Sequence, residues 1–326
     1  MKNLENKLQR KEDNSNIIKN SEIINMQKSQ KIAELLKIAY SLVDLSKELP
    51  GTKGVMIGGS LAMGADQADS GSDIDVTVIV PHILPIEERK KFWQKQLAHL
   101  PGISEVVCGH TCDRFKVNSR NLGGVDYWLV NEVEQSLQKV FGNPNVAYQP
   151  AYGAIFGLCP ETICGEIIRS TVIWDPEGLI CAWKKKVEVY PERFRREVIG
   201  ESYFDILFML SFLRRASELN DVIFCRLVQS KILFCTLRIL SAINKTYFRG
   251  VKRVLTDAKN FKIIPVGGLE KLEKIATGSL KRTELSVTYQ NMRQFTREVV
   301  SLIDSLGPEY QKLRKSMEGW PDIDTL

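Results

Sequence analysis

Residues 56–80 read MIGGSLAMGADQADSGSDIDVTVIV. Asp73 and Asp75 stand two residues apart at the head of an apolar, β-branched run. On a strand such residues point to one side, with Ile74 turned to the other. Two parallel carboxylates repel unless a proton or a cation lies between them. Mg²⁺ suits that position, because it is hard and commonly combines one or two carboxylates with substrate phosphates. Ahead of the acids, Gly58-Gly59-Ser60 ends a shorter apolar run. Glycines let backbone N–H groups approach an anion, and a helical start at Leu61–Met63 would add partial positive charge. Ser60 adds a hydroxyl at the same spot. One piece suits phosphate and the next suits metal, so together they suit a metal–triphosphate complex.

A third carboxylate follows. Asp126 is the one acid in the apolar run GVDYWLV. A single charge on a buried strand costs several kcal/mol unless it is compensated. A pair of metal ions about 3.5–4 Å apart, clamping attacking and leaving oxygens, would compensate it. The sequence leaves open whether Asp126 is a metal ligand or a general base.

These residues need elements to hold them. Apolar positions at helical spacing from Ile32 to Leu45 predict a first amphipathic helix, stopped by Pro50 and Gly51. Val55–Ile57 and Ile74–Val80 read as strands, and Ile86–Leu100 as a helix with Glu87 and Glu88 near its positive end. Gly102–Cys108, Arg114–Val117 and Gly124–Val130 read as further strands, and Asn131 as the cap of a helix over EVEQSLQKVF. TVIW is a short extended piece before a turn at Asp175-Pro176-Glu177-Gly178. Beyond Cys181 helical periodicity dominates, over Phe194–Leu219, Val222–Asn244, Leu269–Ala276 and Val287–Leu306. The expected architecture is an α/β domain followed by an all-α helical bundle. Its boundaries are a polar tail over residues 1–25, the α/β domain over 26–182 and the helical domain over 183–326.

Composition excludes several classes. No apolar run in the 326 residues approaches the roughly 20 that a membrane helix needs. The basic N-terminus is followed by no apolar stretch of the kind a signal peptide requires. Seven cysteines without framework spacing suggest reduced thiols and a cytoplasmic protein. A net charge of +6, with no basic stripe interleaved with aromatics, gives no footprint for nucleic acid. Cys108, His110 and Cys112 do not have zinc-site spacing. No histidine follows His110, which excludes a histidine-dependent ribonuclease centre in the helical half.

Gly59-Ser60, then Asp73-x-Asp75, then Asp126 on a later strand resembles the nucleotidyltransferase superfamily of DNA polymerase beta type. Within it the chain is most similar to the antibiotic-modifying (aminoglycoside and lincosamide) enzymes, which place a catalytic α/β domain before a helical bundle. VIWDPEG and INKTYFRGVKR resemble two further segments of those relatives, so the likeness spans residues 50–260. The resemblance implies that Gly59 and Ser60 bind the triphosphate and that Asp73 and Asp75 hold Mg²⁺, in a site of two ions shared with Asp126. It also implies that Lys252 or Arg253 contacts phosphate from the helical side. The implied reaction moves a nucleoside monophosphate, AMP from ATP, to a hydroxyl of a small-molecule acceptor and releases pyrophosphate. A degenerate member that binds nucleotide or a partner is the alternative. The spacer LAMGADQADSGS departs from the family pattern, placing Ala62 and Met63 where relatives show a basic, Thr or Tyr residue.

Overall fold

The structure is a computed structural model, and it describes residues 29–62, 72–100, 102–117, 120–149, 155–252, 254–278 and 281–316. The tail expected over residues 1–25, the spacer from Met63 to Gly71, and Arg253 lie outside the described residues. Contacts divide the described chain into two units. One runs to Val133 and includes Glu166–Lys186; the other comprises Glu134–Gly165 and the chain from Val187 onward.

The first unit is built on a six-stranded mixed sheet. Its strands are β1 (Gly54–Ile57), β2 (Ile74–Val80), β3 (Glu105–Cys108), β4 (Cys112–Val117), β5 (Arg120–Leu129) and β6 (Thr171–Trp174). The order across the sheet is β3-β4-β5-β2-β1-β6. Only β2 and β5 are parallel; the other neighbours are antiparallel. Alternation in β2 fixes which side is which. Ile74, Val76, Val78 and Val80 all enter one apolar core, with Val55, Ile57, Val125 and Tyr127 from neighbouring strands. Helix α1 (residues 29–46) covers that core with Ile32, Leu35, Ala39, Leu42 and Val43. Asp75 and Thr77 therefore belong to the opposite side of the sheet. A single helical turn, α2 (Gly59–Ala62), follows β1.

Helix α3 (Ile86–Gln96) is shorter than the sequence predicts, because Leu97–His99 tightens into a 3₁₀ turn. Glu87 and Glu88 do sit in its first turn. Helix α4 (Val130–Phe141) begins before Asn131, so Asn131 lies inside the first turn and is not the cap. Strand β5 runs directly into that helix, leaving no loop for a cap to occupy. Helices α5 (Pro160–Arg169) and α6 (Leu179–Val187) flank β6 in sequence, and the sequence reading does not anticipate them. Lys184 of α6 donates to the carbonyls of Ile167, Ile168 and Ser170 at 3.1, 3.2 and 2.5 Å. A cation at the last carbonyls of a helix is favourable for the macrodipole and satisfies groups left without intrahelical partners.

The second unit is helical. Helices α7 (Glu192–Glu218) and α8 (Val222–Ile243) form a hairpin, and Asp221 caps α8 by accepting from the Phe224 N–H at 2.9 Å. Asn220, in the tight joint, has φ +54°. Further along come α9 (Val254–Ala258), α10 (Gly268–Thr277), α11 (Leu285–Asp304) and α12 (Pro308–Ser316). Ile206, Leu210, Ile232, Ile239, Phe295 and Val299 are buried in this unit. Residues 134–165 belong to this unit, and one buried ion pair joins them to α8. Glu161 is fully buried and accepts from Arg238 at 2.6 and 3.1 Å. Arg238 also donates to the Val146 carbonyl at 2.7 Å. Along the chain, the first unit is left after Val133 and entered again at Glu166. Among the described residues no helix is long and apolar enough to cross a membrane.

Candidate functional site

The phosphate-suited and metal-suited pieces of the sequence meet in the structure. The Gly58 N–H donates to the Asp75 carbonyl at 2.8 Å, which closes the loop after β1 onto β2. Gly59 has φ +61°, and a Cβ there would fall 1.9 Å from Asp75 Oδ2. Only a glycine leaves room for that carboxylate. The buried Ser60 hydroxyl donates to the Ser72 hydroxyl at 2.8 Å, tying the helical turn to the residue before Asp73. Asp73 is exposed at the strand head and Asp75 is half-buried. Opposite Asp75 in the parallel register stands Gly124, which adds no side chain there.

Asp126 lies on the same side of the sheet, one step further along. It is opposite Thr77 on β2 and opposite Cys112 on β4. Arg114 of β4, opposite Gly124, shares that side. Its guanidinium grips Asp126 with both arms, at 2.8 Å to Oδ1 and 3.3 Å to Oδ2. The two side chains are 35% and 33% exposed, so the pair is neither sealed nor free in water. Burial pulls the Arg114 pKa down, while the hydrogen bond and charge of Asp126, with Cys112 and Asp75, pull it up. The net shift is upward. Arg114 therefore remains a cation set among acids. The sequence reading missed it, because its link to Asp126 depends on pairing between β4 and β5.

The donor set partly fits a divalent cation. Asp73 and Asp75 offer hard oxygens, and the Asp75 carboxylate lies against Gly59, in the space a side chain there would fill. Asp126 is already committed to Arg114. Among the described residues no three His, Cys, Asp or Glu side chains converge as a metal-binding group.

The other side of the sheet carries a second polar group that the sequence reading also missed. Asp113 is fully buried and pairs with Arg89, itself 1% exposed. Asp113 Oδ2 accepts from Trp93 Nε1 at 2.8 Å and from the Tyr127 hydroxyl at 2.7 Å. Arg89 Nε donates to the Leu84 carbonyl at 3.0 Å, and a second arm reaches the Gly109 carbonyl. Burial, then the Asp113 charge, holds the Tyr127 hydroxyl well above the usual phenol range and lifts the Cys108 thiol to about 12. A fully satisfied, sealed network of this kind is structural, and it fixes α3 to the β3–β4 hairpin. The sequence signal was the Arg89–Trp93 spacing of four, which places both on one face of α3.

The remaining motif residues have local roles. Asp175 shapes its turn: its carbonyl accepts from the Gly178 N–H at 3.1 Å and its Oδ2 from the Cys181 N–H at 2.8 Å. In the helical unit, Asn244 donates to the carbonyls of Leu240 and Ile263 and accepts from two N–H groups, at Lys262 and Ile263. Tyr247 stacks on Tyr190 at 4.7 Å between ring centroids. Lys252 is exposed in that unit. The same unit holds a cavity of about 400 Å³ lined by Tyr148, Glu197, Glu201, Ser202, Asp205 and Arg238, among others.

Comparison with known proteins adds two findings. A family described as a domain of unknown function (DUF4037) matches residues 158–252. Among solved structures, the chain is similar to a nucleotidyltransferase-like protein from Exiguobacterium sibiricum 255-15. That likeness covers 86% of this chain and 79% of that one, at 12% identity and a TM-score of 0.42. No curated protein matches the chain.

Proposed function

We propose that the chain is a nucleotidyltransferase that moves a nucleoside monophosphate, AMP from ATP, to a hydroxyl of a small molecule. One observation carries the reading: Gly59 at positive φ is packed directly against the Asp75 carboxylate. That contact makes one site of the glycine loop and the acidic strand head.

Asp73 and Asp75 would hold a divalent cation such as Mg²⁺, which when bound supplies positive charge against a triphosphate. The chain's own residues do the rest. Gly59 and Ser60 present the turn against which the triphosphate lies, and Ser72 holds Ser60 in place. Asp126 faces the same side and serves as ligand or as proton acceptor for the attacking hydroxyl. Arg114 positions Asp126 and adds fixed positive charge, of the kind that stabilises charge developing on a transferring phosphoryl group. The acceptor oxygen forms a bond to the α-phosphorus, the bond from that phosphorus to the bridging oxygen breaks, and pyrophosphate leaves with the electron pair. In the helical unit, the cavity is of a size suited to a small molecule, and we assign acceptor selection to that unit. Lys252 remains a candidate phosphate contact, to be tested by Lys252→Ala.

The test is transfer of label from α-labelled ATP to a panel of hydroxylated metabolites and antibiotics, with pyrophosphate release measured in parallel. Asp73→Asn or Asp75→Asn should abolish both signals while the circular dichroism spectrum and melting temperature hold. Full activity in either variant would remove the reading. A second reading, nucleotide binding without transfer, is favoured by the Arg114 grip on Asp126. Its signature is tight Mg²⁺–ATP binding with no pyrophosphate release across the panel.

A further inference from the structure

We propose that Arg114 occupies the place of a second metal ion, so that the site takes one divalent cation, at Asp73 and Asp75. The inference rests on the nucleotidyl-transfer reading and concerns how that site is built.

Both carboxylate oxygens of Asp126 already accept from the guanidinium. A bidentate arginine–carboxylate pair is directional as well as charged, and is among the stronger hydrogen-bonded contacts. The register places the acids to match. Asp126 opposes Thr77, while Asp75 opposes Gly124, so Asp126 is a diagonal neighbour of Asp75 and not its partner. Arg114 opposes Gly124 and lies in the field of Asp75 as well as Asp126. A second ion bridging Asp75 and Asp126 would have to enter beside the guanidinium and be repelled by it. Arginine cannot relieve that repulsion by losing a proton, as lysine or histidine could.

In this site the guanidinium does the electrostatic work of a second ion without exchanging with solvent. Asp126 is then held as a fixed acceptor and not as a metal ligand. Transfer should depend on a single divalent ion per nucleotide.

The experiment counts Mn²⁺ bound per chain by electron paramagnetic resonance, using the full chain with equimolar α,β-methylene ATP. Wild type should bind one ion. Arg114→Gln, which frees Asp126, should bind two, and Arg114→Gln combined with Asp126→Asn should return to one. Asp126→Asn alone should remain at one. Two ions in wild type, falling to one in Asp126→Asn, would overturn the assignment of Arg114 and leave nucleotidyl transfer standing. No bound ion in wild type would strike the metal-dependent reading itself. Should Arg114→Gln fail to fold, the wild-type and Asp126→Asn counts decide the matter alone.

Discussion

A methyl group at Gly59 would collide with Asp75 and would also need a left-handed backbone. Its neighbour Gly58 is different: a Cβ there would meet nothing closer than the Asp75 carbonyl at 3.7 Å. Gly59→Ala should therefore lose about 1–2 kcal/mol in urea unfolding from the backbone term alone. It should also abolish Mg²⁺–ATP binding by calorimetry. Gly58→Ala should fall within about 0.5 kcal/mol of wild type and retain binding. Equal behaviour of the two would show that Asp75 does not need the space Gly59 leaves. At this scale the acids and glycines were legible in the sequence, because each is out of character in an apolar run. Arg114 was not, since an arginine in CDRFKV is unremarkable until pairing between strands sets it against Asp126.

The hairpin of β3 and β4 is held to α3 by the Arg89–Asp113 pair and its two added donors. Removing one partner of a buried pair leaves the other charge uncompensated, which costs about 3–5 kcal/mol. Arg89→Met should show that loss in chemical denaturation. Tyr127→Phe, which removes one hydrogen bond of several to the carboxylate, should lose only about 1.5–3 kcal/mol. A reversal of that order would mean that the pair is not the element's main anchor. Strand β1 was readable as a short apolar run ending in glycines, and β2 as a run of β-branched residues stopped by Pro81. Helix α5 was not: PETICGEIIR contains Thr, Cys, Gly and three Ile, all indifferent or poor helix formers, so its helicity comes from packing and not from propensity. The Asn131 cap failed for a related reason, because β5 feeds α4 without a break.

For the whole molecule, the two units are interleaved along the chain. A fragment ending at residue 182, the boundary that composition suggests, would strand Glu161 without Arg238. It should therefore be aggregated or loosely packed by size exclusion and near-ultraviolet circular dichroism, despite containing every strand of the sheet. A compact, cooperatively melting fragment would show that the Glu161–Arg238 pair is dispensable. Composition could not reveal this, since the shift to helical periodicity is real and only the spatial pairing crosses it. The position of β6 has a further consequence, for synthesis. Strand β1 pairs on one side with β2 and on the other with β6, whose residues follow more than a hundred positions later. At about 5–20 residues per second, a nascent chain shows an open β1 edge for on the order of ten seconds. An unpaired edge is an invitation to other strands. A ribosome pausing between residues 80 and 171 would lengthen that window, so codon choice in that stretch should govern the soluble yield of the protein.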